Sequence, residues 1–116
     1  MTLINPEDVK LDPPKDERFS LEQLRQFDGR DPSKPIYVAI KGIVFDVSSK
    51  REVYGPGGSY HIFAGKDGSK GLGRSSLKPE DAVPDFSTLD PKELKVLDDW
   101  VIFFKKRYNI VGHVAL

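Results

Sequence analysis

The sequence predicts a single α+β domain, a small sheet with helices gathered on one side of it. Three observations carry this reading. Two apolar segments of helical period each begin at a complete capping box, at Ser20 and at Asp90. Two β-rich runs flank Lys41-Gly42 as a hairpin. The whole chain is 116 residues, which suits one modest core.

Residues 1–18 are polar and hold Pro6, Pro13 and Pro14, so they are expected to form an extended arm, with the domain proper running over 19–116. Leu3, Ile4, Val9 and Leu11 are the side chains through which that arm could dock. The first helix starts at Phe19-Ser20-Leu21-Glu22-Gln23-Leu24. Ser20 is its N-cap, Gln23 closes the capping box, Phe19 and Leu24 form a hydrophobic staple, and Gly29 ends it. The hairpin follows as Ile36–Ile40 and Ile43–Val47, with Gly42 at the φ > 0 position. Ile36, Val38 and Ile40 share one face, as do Ile43, Phe45 and Val47. Asp46 interrupts the second run and is placed to cap a neighbouring turn.

Lys66–Ser76 holds Gly68, Gly71 and Gly73, each of which weakens a helix by about 1 kcal/mol. One or two helical turns capped by Asp67 are expected there, with Ile62, Phe63 and Leu72 facing inward. A proline-bearing connection leads to Leu89-Asp90-Pro91-Lys92-Glu93-Leu94, the strongest helix start in the chain. Leu94, Leu97, Val101, Phe104 and Tyr108 then define one face, widened by Trp100 and Phe103. Lys105, Lys106 and Arg107 sit where cations suit the helix dipole. Asn109–Val114 reads as a closing strand.

Composition excludes several functions. Lys plus Arg and Asp plus Glu both number 18, so the neutral chain has no electrostatic footprint for nucleic acid. With no cysteine there is no disulfide scaffold, thiolate zinc site or cysteine nucleophile. The two histidines, His61 and His113, are too few for zinc, and no Ser-His-Asp order or phosphate loop stands out. The pairs Asp81/Asp85 and Asp98/Asp99 read as solvated faces. The chain is therefore read as non-enzymatic. The start, M-T-L-I-N-P-E-D-V-K, lacks a signal-peptide core, and no run approaches the roughly 20 apolar residues of a membrane span. A cytoplasmic location is expected.

The stretch V-Y-G-P-G-G-S-Y-H-I-F-A-G, Val53 to Gly65, stands apart. Its four glycines let backbone bend and approach a flat ligand, and its aromatics offer apolar area with polar tips. An ordinary Gly-Pro-Gly-Gly loop is the competing reading. A phenolate can ligate ferric haem iron, and a phenol of ordinary pKa near roughly 10 ionises beside such a cation. Tyr54 and Tyr60, separated by G-P-G-G-S, could place one oxygen at an iron and the other beside it, with Tyr108 and the basic end of the long helix closing the other side.

These motifs together resemble the membrane-associated progesterone receptor (MAPR) family of cytochrome b5-like domains. The matching segments are F-S-L-E-Q-L-R-Q-F-D-G from Phe19, I-Y-V-A-I-K-G-I-V-F-D-V from Ile36, V-Y-G-P-G-G-S-Y-H-I-F-A-G-K-D from Val53 and L-D-D-W-V-I-F-F-K-K-R-Y-N-I-V-G from Leu97. The resemblance implies a cytochrome b5-like fold, a small mixed sheet with helices forming a ligand cleft. It implies haem b as cofactor, Tyr60 as the single axial ligand, Tyr54 hydrogen-bonding near it, and Arg107 and Tyr108 bordering the haem. Arg107 stands where relatives carry Lys; Val53, where relatives often carry an aromatic, and His61 are further departures. The first histidine of ordinary cytochrome b5 domains is replaced by Gly55, and no second one lies between His61 and His113. Two-histidine electron transfer is accordingly disfavoured. The implied partners are haem-thiolate monooxygenases of sterol metabolism, a steroid or sterol, and a second copy in a haem-dependent homodimer. A haem-free steroid-binding, lipid-binding or adaptor module of the same fold is the alternative.

Overall fold

The structure, a computed structural model, describes residues 11–115. Its elements in chain order are β1 (Glu17–Phe19), α1 (Leu21–Leu24), β2 (Tyr37–Ile40), β3 (Ile43–Asp46), α2 (Arg51–Tyr54), α3 (Ser69–Arg74), α4 (Pro91–Arg107) and β4 (Asn109–Val114), with short 3-10 turns between them. The sheet order is β1-β4-β3-β2. β4 runs antiparallel to β3, and β1 runs parallel to β4, so the sheet is mixed.

Both capping boxes form. Ser20 Oγ accepts from Gln23 N and the Gln23 side chain accepts from Ser20 N; Asp90 and Glu93 repeat the exchange at α4. Each cap contributes about 1 kcal/mol. The hairpin turn places both Lys41, at φ 50, and Gly42, at φ 78, in the left-handed region. Lysine tolerates this because Lys41 N donates to Ser69 Oγ at 2.7 Å and Gly42 N donates to Asp67 Oδ2 at 2.9 Å. Asp67 is buried, and burial raises its pKa against the pull of the Ser69 hydroxyl and of the Gly42 and Ser69 amides that donate to it. It therefore ties the hairpin to the start of α3, where the helix N-cap itself is Gly68. Asp46 does cap a turn, accepting from Ser48 N at 2.9 Å.

The arm lies along the domain at its C-terminal end: Lys15 N donates to Ile110 O, and Glu17–Phe19 form β1. Gly112 permits this pairing, since a Cβ there would lie 2.0 Å from Glu17 O. Leu11 stays exposed rather than docked, while Leu3, Ile4 and Val9 lie outside the described residues. The helices are not all on one side. The larger core, with Val38, Ile40, Phe45, Leu97 and Phe104, lies between one sheet face and α3/α4. A second cluster of Phe19, Leu24, Ala39, Val44 and Val111 buries the alternate strand residues beneath α1. Lastly, Asp81 is buried, not solvated. It accepts from Ser76 Oγ at 2.7 Å and pairs with Lys70 and Arg74, each at 3.8 Å. The Ser76 hydroxyl, helped by those cations, holds its carboxyl below the usual range. Among the described residues no helix is long and apolar enough to cross a membrane.

Candidate functional site

The glycine-tyrosine loop leaves α2 at Tyr54 and doubles back. Tyr60 N donates to Val53 O at 2.9 Å, and Gly58 N donates to Gly55 O at 2.9 Å. Only glycine fits at 58, because a Cβ would stand 2.2 Å from the Val53 carbonyl oxygen. This closure brings the two tyrosine rings within 6.1 Å of each other. The loop then continues into a 3-10 turn, His61–Phe63, that presents Phe63 to the core.

The long helix supplies the facing wall. Trp100 meets the Tyr60 ring edge-on at 6.2 Å. Tyr108, at the helix C-cap, meets the Tyr54 ring at 6.4 Å. The Arg107 guanidinium lies over the rings of Phe103, at 5.5 Å, and Tyr108, at 5.8 Å. Tyr54, Tyr60, Arg107 and Tyr108 are thus brought to one region by α2, the loop and the end of α4. Tyr54 and Tyr108 are buried, whereas Tyr60 and Arg107 are half-buried.

Beside Tyr60 lies a cleft of about 200 Å³ lined by Tyr60, Phe63, Gly71, Leu72, Ser75, Ser76, Leu77 and Trp100. Trp100, Phe63 and Leu77 were not singled out as ligand-facing in the sequence. The available signal was Trp100's position on the flank of the α4 stripe, where a large ring is neither core nor solvent. The cleft is smaller than the roughly 300–1,000 Å³ of most drug-sized ligand sites, so a macrocycle or sterol needs its walls to part.

Electrostatics separate the tyrosines. Burial, then the neighbouring Tyr108 and Tyr60 phenols, push the Tyr54 pKa far above its ordinary value. Burial also raises Tyr108, opposed by the Arg107 guanidinium. Both phenols hold their protons, and neither residue is among those lining the cleft. A pH dependence follows. In the unfolded chain each phenol ionises near roughly pH 10, while in the folded chain it holds its proton. Above that pH the native state binds more protons, so this contribution to stability is complete below about pH 10 and is lost as pH rises further. Thermal melts across the alkaline range should show this decline, flattened in Tyr54→Phe and Tyr108→Phe. An unchanged slope in the double variant would contradict the burial of these phenols.

The histidines do not converge. His61 Nε2 is 3.1 Å from the Asp28 carbonyl oxygen, and His113 is exposed with Nδ1 2.8 Å from Asp16 Oδ1. At Gly55 a Cβ would lie 2.5 Å from the Arg51 carbonyl oxygen, so a histidine there would clash. The donor set near the cleft is phenolic, which suits a hard ferric ion held by an oxygen ligand.

Comparison with known proteins agrees with this architecture. The family described as "Cytochrome b5-like Heme/Steroid binding domain" matches residues 20–108. The chain is 51% identical to Probable steroid-binding protein 3 of Arabidopsis thaliana over 97 residues, covering 84% of this chain and 97% of that one. It is 48% identical to Membrane steroid-binding protein 1 of Oryza sativa subsp. japonica, covering 94% of this chain but 47% of that one. It is 43% identical to human Membrane-associated progesterone receptor component 2, covering 83% and 44% respectively. The chain therefore spans nearly all of the first relative and under half of the other two. A solved Arabidopsis structure described as having a cytochrome b5 like fold superposes with a TM-score of 0.79 at 50% identity, covering 86% of this chain and 92% of that one. The chain belongs to the cytochrome b5-like haem/steroid-binding domain family and, within it, to the membrane-associated progesterone receptor (MAPR) family.

Proposed function

We propose that this chain is a haem-binding module in which Tyr60 is the single protein ligand and Tyr54, Arg107 and Tyr108 border the bound group. The supporting observation is the half-buried Tyr60 phenol at the edge of an aromatic-walled cleft, with both histidines directed elsewhere. Ferric haem would supply a Lewis-acidic iron, and a phenolate favours that oxidation state. Tyr60 would hold that iron through its phenol oxygen. Phe63, Leu72 and Trp100 exclude water from around it. Tyr54, kept neutral by burial, remains a donor, and such a bond to an anionic oxygen is of the stronger, charge-assisted kind. Arg107 offers positive charge to an anionic substituent. Such a module is a poor electron carrier and suits support or regulation of haem-thiolate monooxygenases in sterol metabolism. Association with the endoplasmic reticulum membrane and a haem-dependent homodimer belong to this same reading.

A second reading, a haem-free steroid or lipid binder, is favoured by the small cleft walled by Phe63, Leu72, Leu77 and Trp100 and by relatives named as steroid-binding proteins. Titration with haemin separates the two. Trp100, the one tryptophan of the chain, should be quenched in a saturable one-to-one manner at micromolar haemin or below. Absence of saturation, with quenching by a sterol instead, would favour the second reading.

A further inference from the structure

We propose that the turn Asp28-Gly29 is a clamp that sets the position of Tyr60, with His61 and Arg51 as its two positioning side chains. The turn follows α1 and offers two main-chain carbonyls to the tyrosine loop. Arg51 Nη1 donates to Gly29 O at 3.3 Å, just before Tyr54. His61 Nε2 donates to Asp28 O at 3.1 Å, just after Tyr60. One turn therefore holds the segment on both sides of the two tyrosines.

Packing supports the same contact. A Cβ at Gly65 would stand 2.8 Å from Asp28 Cβ and 3.2 Å from Arg25 O, and one at Gly29 would stand 3.3 Å from Gly55 Cα. The loop backbone thus lies against the turn at Gly55 and Gly65. Beyond the clamp, Gly65 N donates to Tyr37 O at 2.7 Å and fixes the end of the loop to β2. The Asp28 carboxylate is occupied within its own turn, accepting from Arg30 N at 3.0 Å and lying 3.5 Å from Arg30 Nε. The carbonyls, not the carboxylate, are what the loop reads.

A carbonyl only accepts, so Nε2 carries the proton and the neutral His61 is the Nε2–H tautomer. Tyr60 and His61 are adjacent in one short turn, and their rings go different ways, Tyr60 to Trp100 and His61 to Asp28. Fixing one therefore fixes the other. While the clamp is closed, His61 Nε2 is not free for an iron. The effect on ligand binding rests on the reading of Tyr60 as the haem ligand; the positioning itself does not.

The test compares His61→Leu, which removes the donor, with His61→Gln, which keeps a side-chain N–H. In ligand-free protein, the exchange rate of the Tyr60 amide and the Trp100 emission report the loop directly. His61→Leu is expected to speed Tyr60 exchange and shift the emission, and to weaken haemin binding about tenfold, the lower end of what outer-shell partners contribute at metal sites. His61→Gln should restore all three. Arg51→Ala, at an exposed position, should loosen the same amide without loss of fold. Unchanged exchange and emission in both His61→Leu and Arg51→Ala would overturn the clamp. So would lost haemin affinity in His61→Leu with unchanged exchange, since His61 would then be a ligand itself. If the wild-type protein binds no haemin, the ligand-free readouts still decide the clamp.

Discussion

Tyr60→Phe is expected to weaken haemin binding by more than about tenfold and to remove the phenolate-to-iron charge-transfer bands. The lower bound is taken from outer-shell partners of metal sites, whose loss typically costs about 10–100-fold; a direct ligand should matter more. The substitution keeps the ring, which touches Phe63 at 6.1 Å and Trp100 at 6.2 Å, so packing and fold should survive. Loss of binding with an unchanged melting temperature would isolate the oxygen as the cause. The same substitution at Tyr54 should act more mildly, because Tyr54 is proposed as a donor beside the ligand. Equal effects at both positions would argue against assigning the two phenols different roles.

Phe104→Ala is expected to destabilise the fold by about 3–5 kcal/mol, the range for deleting a buried phenylalanine. Phe104 is fully buried and is the hub of the aromatic core. Its ring lies 4.9 Å from Tyr108, 5.3 Å from Phe45, 6.1 Å from Trp100 and 6.2 Å from Tyr54. A domain of this size is stable by about 5–15 kcal/mol, so the variant should sit near the edge of folding. Denaturant titration checks this. Because Phe104 supports both Tyr54 and Trp100, any folded fraction should also bind ligand poorly. A loss below about 1 kcal/mol would mean that the core collapses around the gap and that the cleft does not depend on it.

Much of the fold was legible because its signals are local. Ser20 with Gln23, and Asp90 with Glu93, state their helix starts within four residues. Lys41-Gly42 states a two-residue turn. Asn109–Val114 was legible as a strand. What was missed depends on tertiary contacts. Glu17-Arg18-Phe19 has no strand pattern of its own; it becomes β1 because Gly112, far along the chain, lets Glu17 approach closely. The second core beneath α1 was hidden because Ala39 and Val44 sit inside apolar runs whose other face was already assigned. Asp81 looked solvated because Ser76, Lys70 and Arg74 reach it only through tertiary packing. Tyr54, Tyr60, Arg107 and Tyr108 stood out through motif resemblance, and of these Tyr60 lines the cleft. Phe63, Leu77 and Trp100 did not, since a cleft wall is a juxtaposition of elements and carries no motif.

The central claim is that Tyr60, and no histidine, is the protein ligand in the haem complex. Resonance Raman spectroscopy of the haemin-loaded protein, excited in the charge-transfer region, tests it directly. The account predicts enhanced tyrosinate ring modes on a high-spin ferric spectrum, absent in Tyr60→Phe. A histidine-ligated spectrum, or tyrosinate modes that persist in Tyr60→Phe, would contradict it.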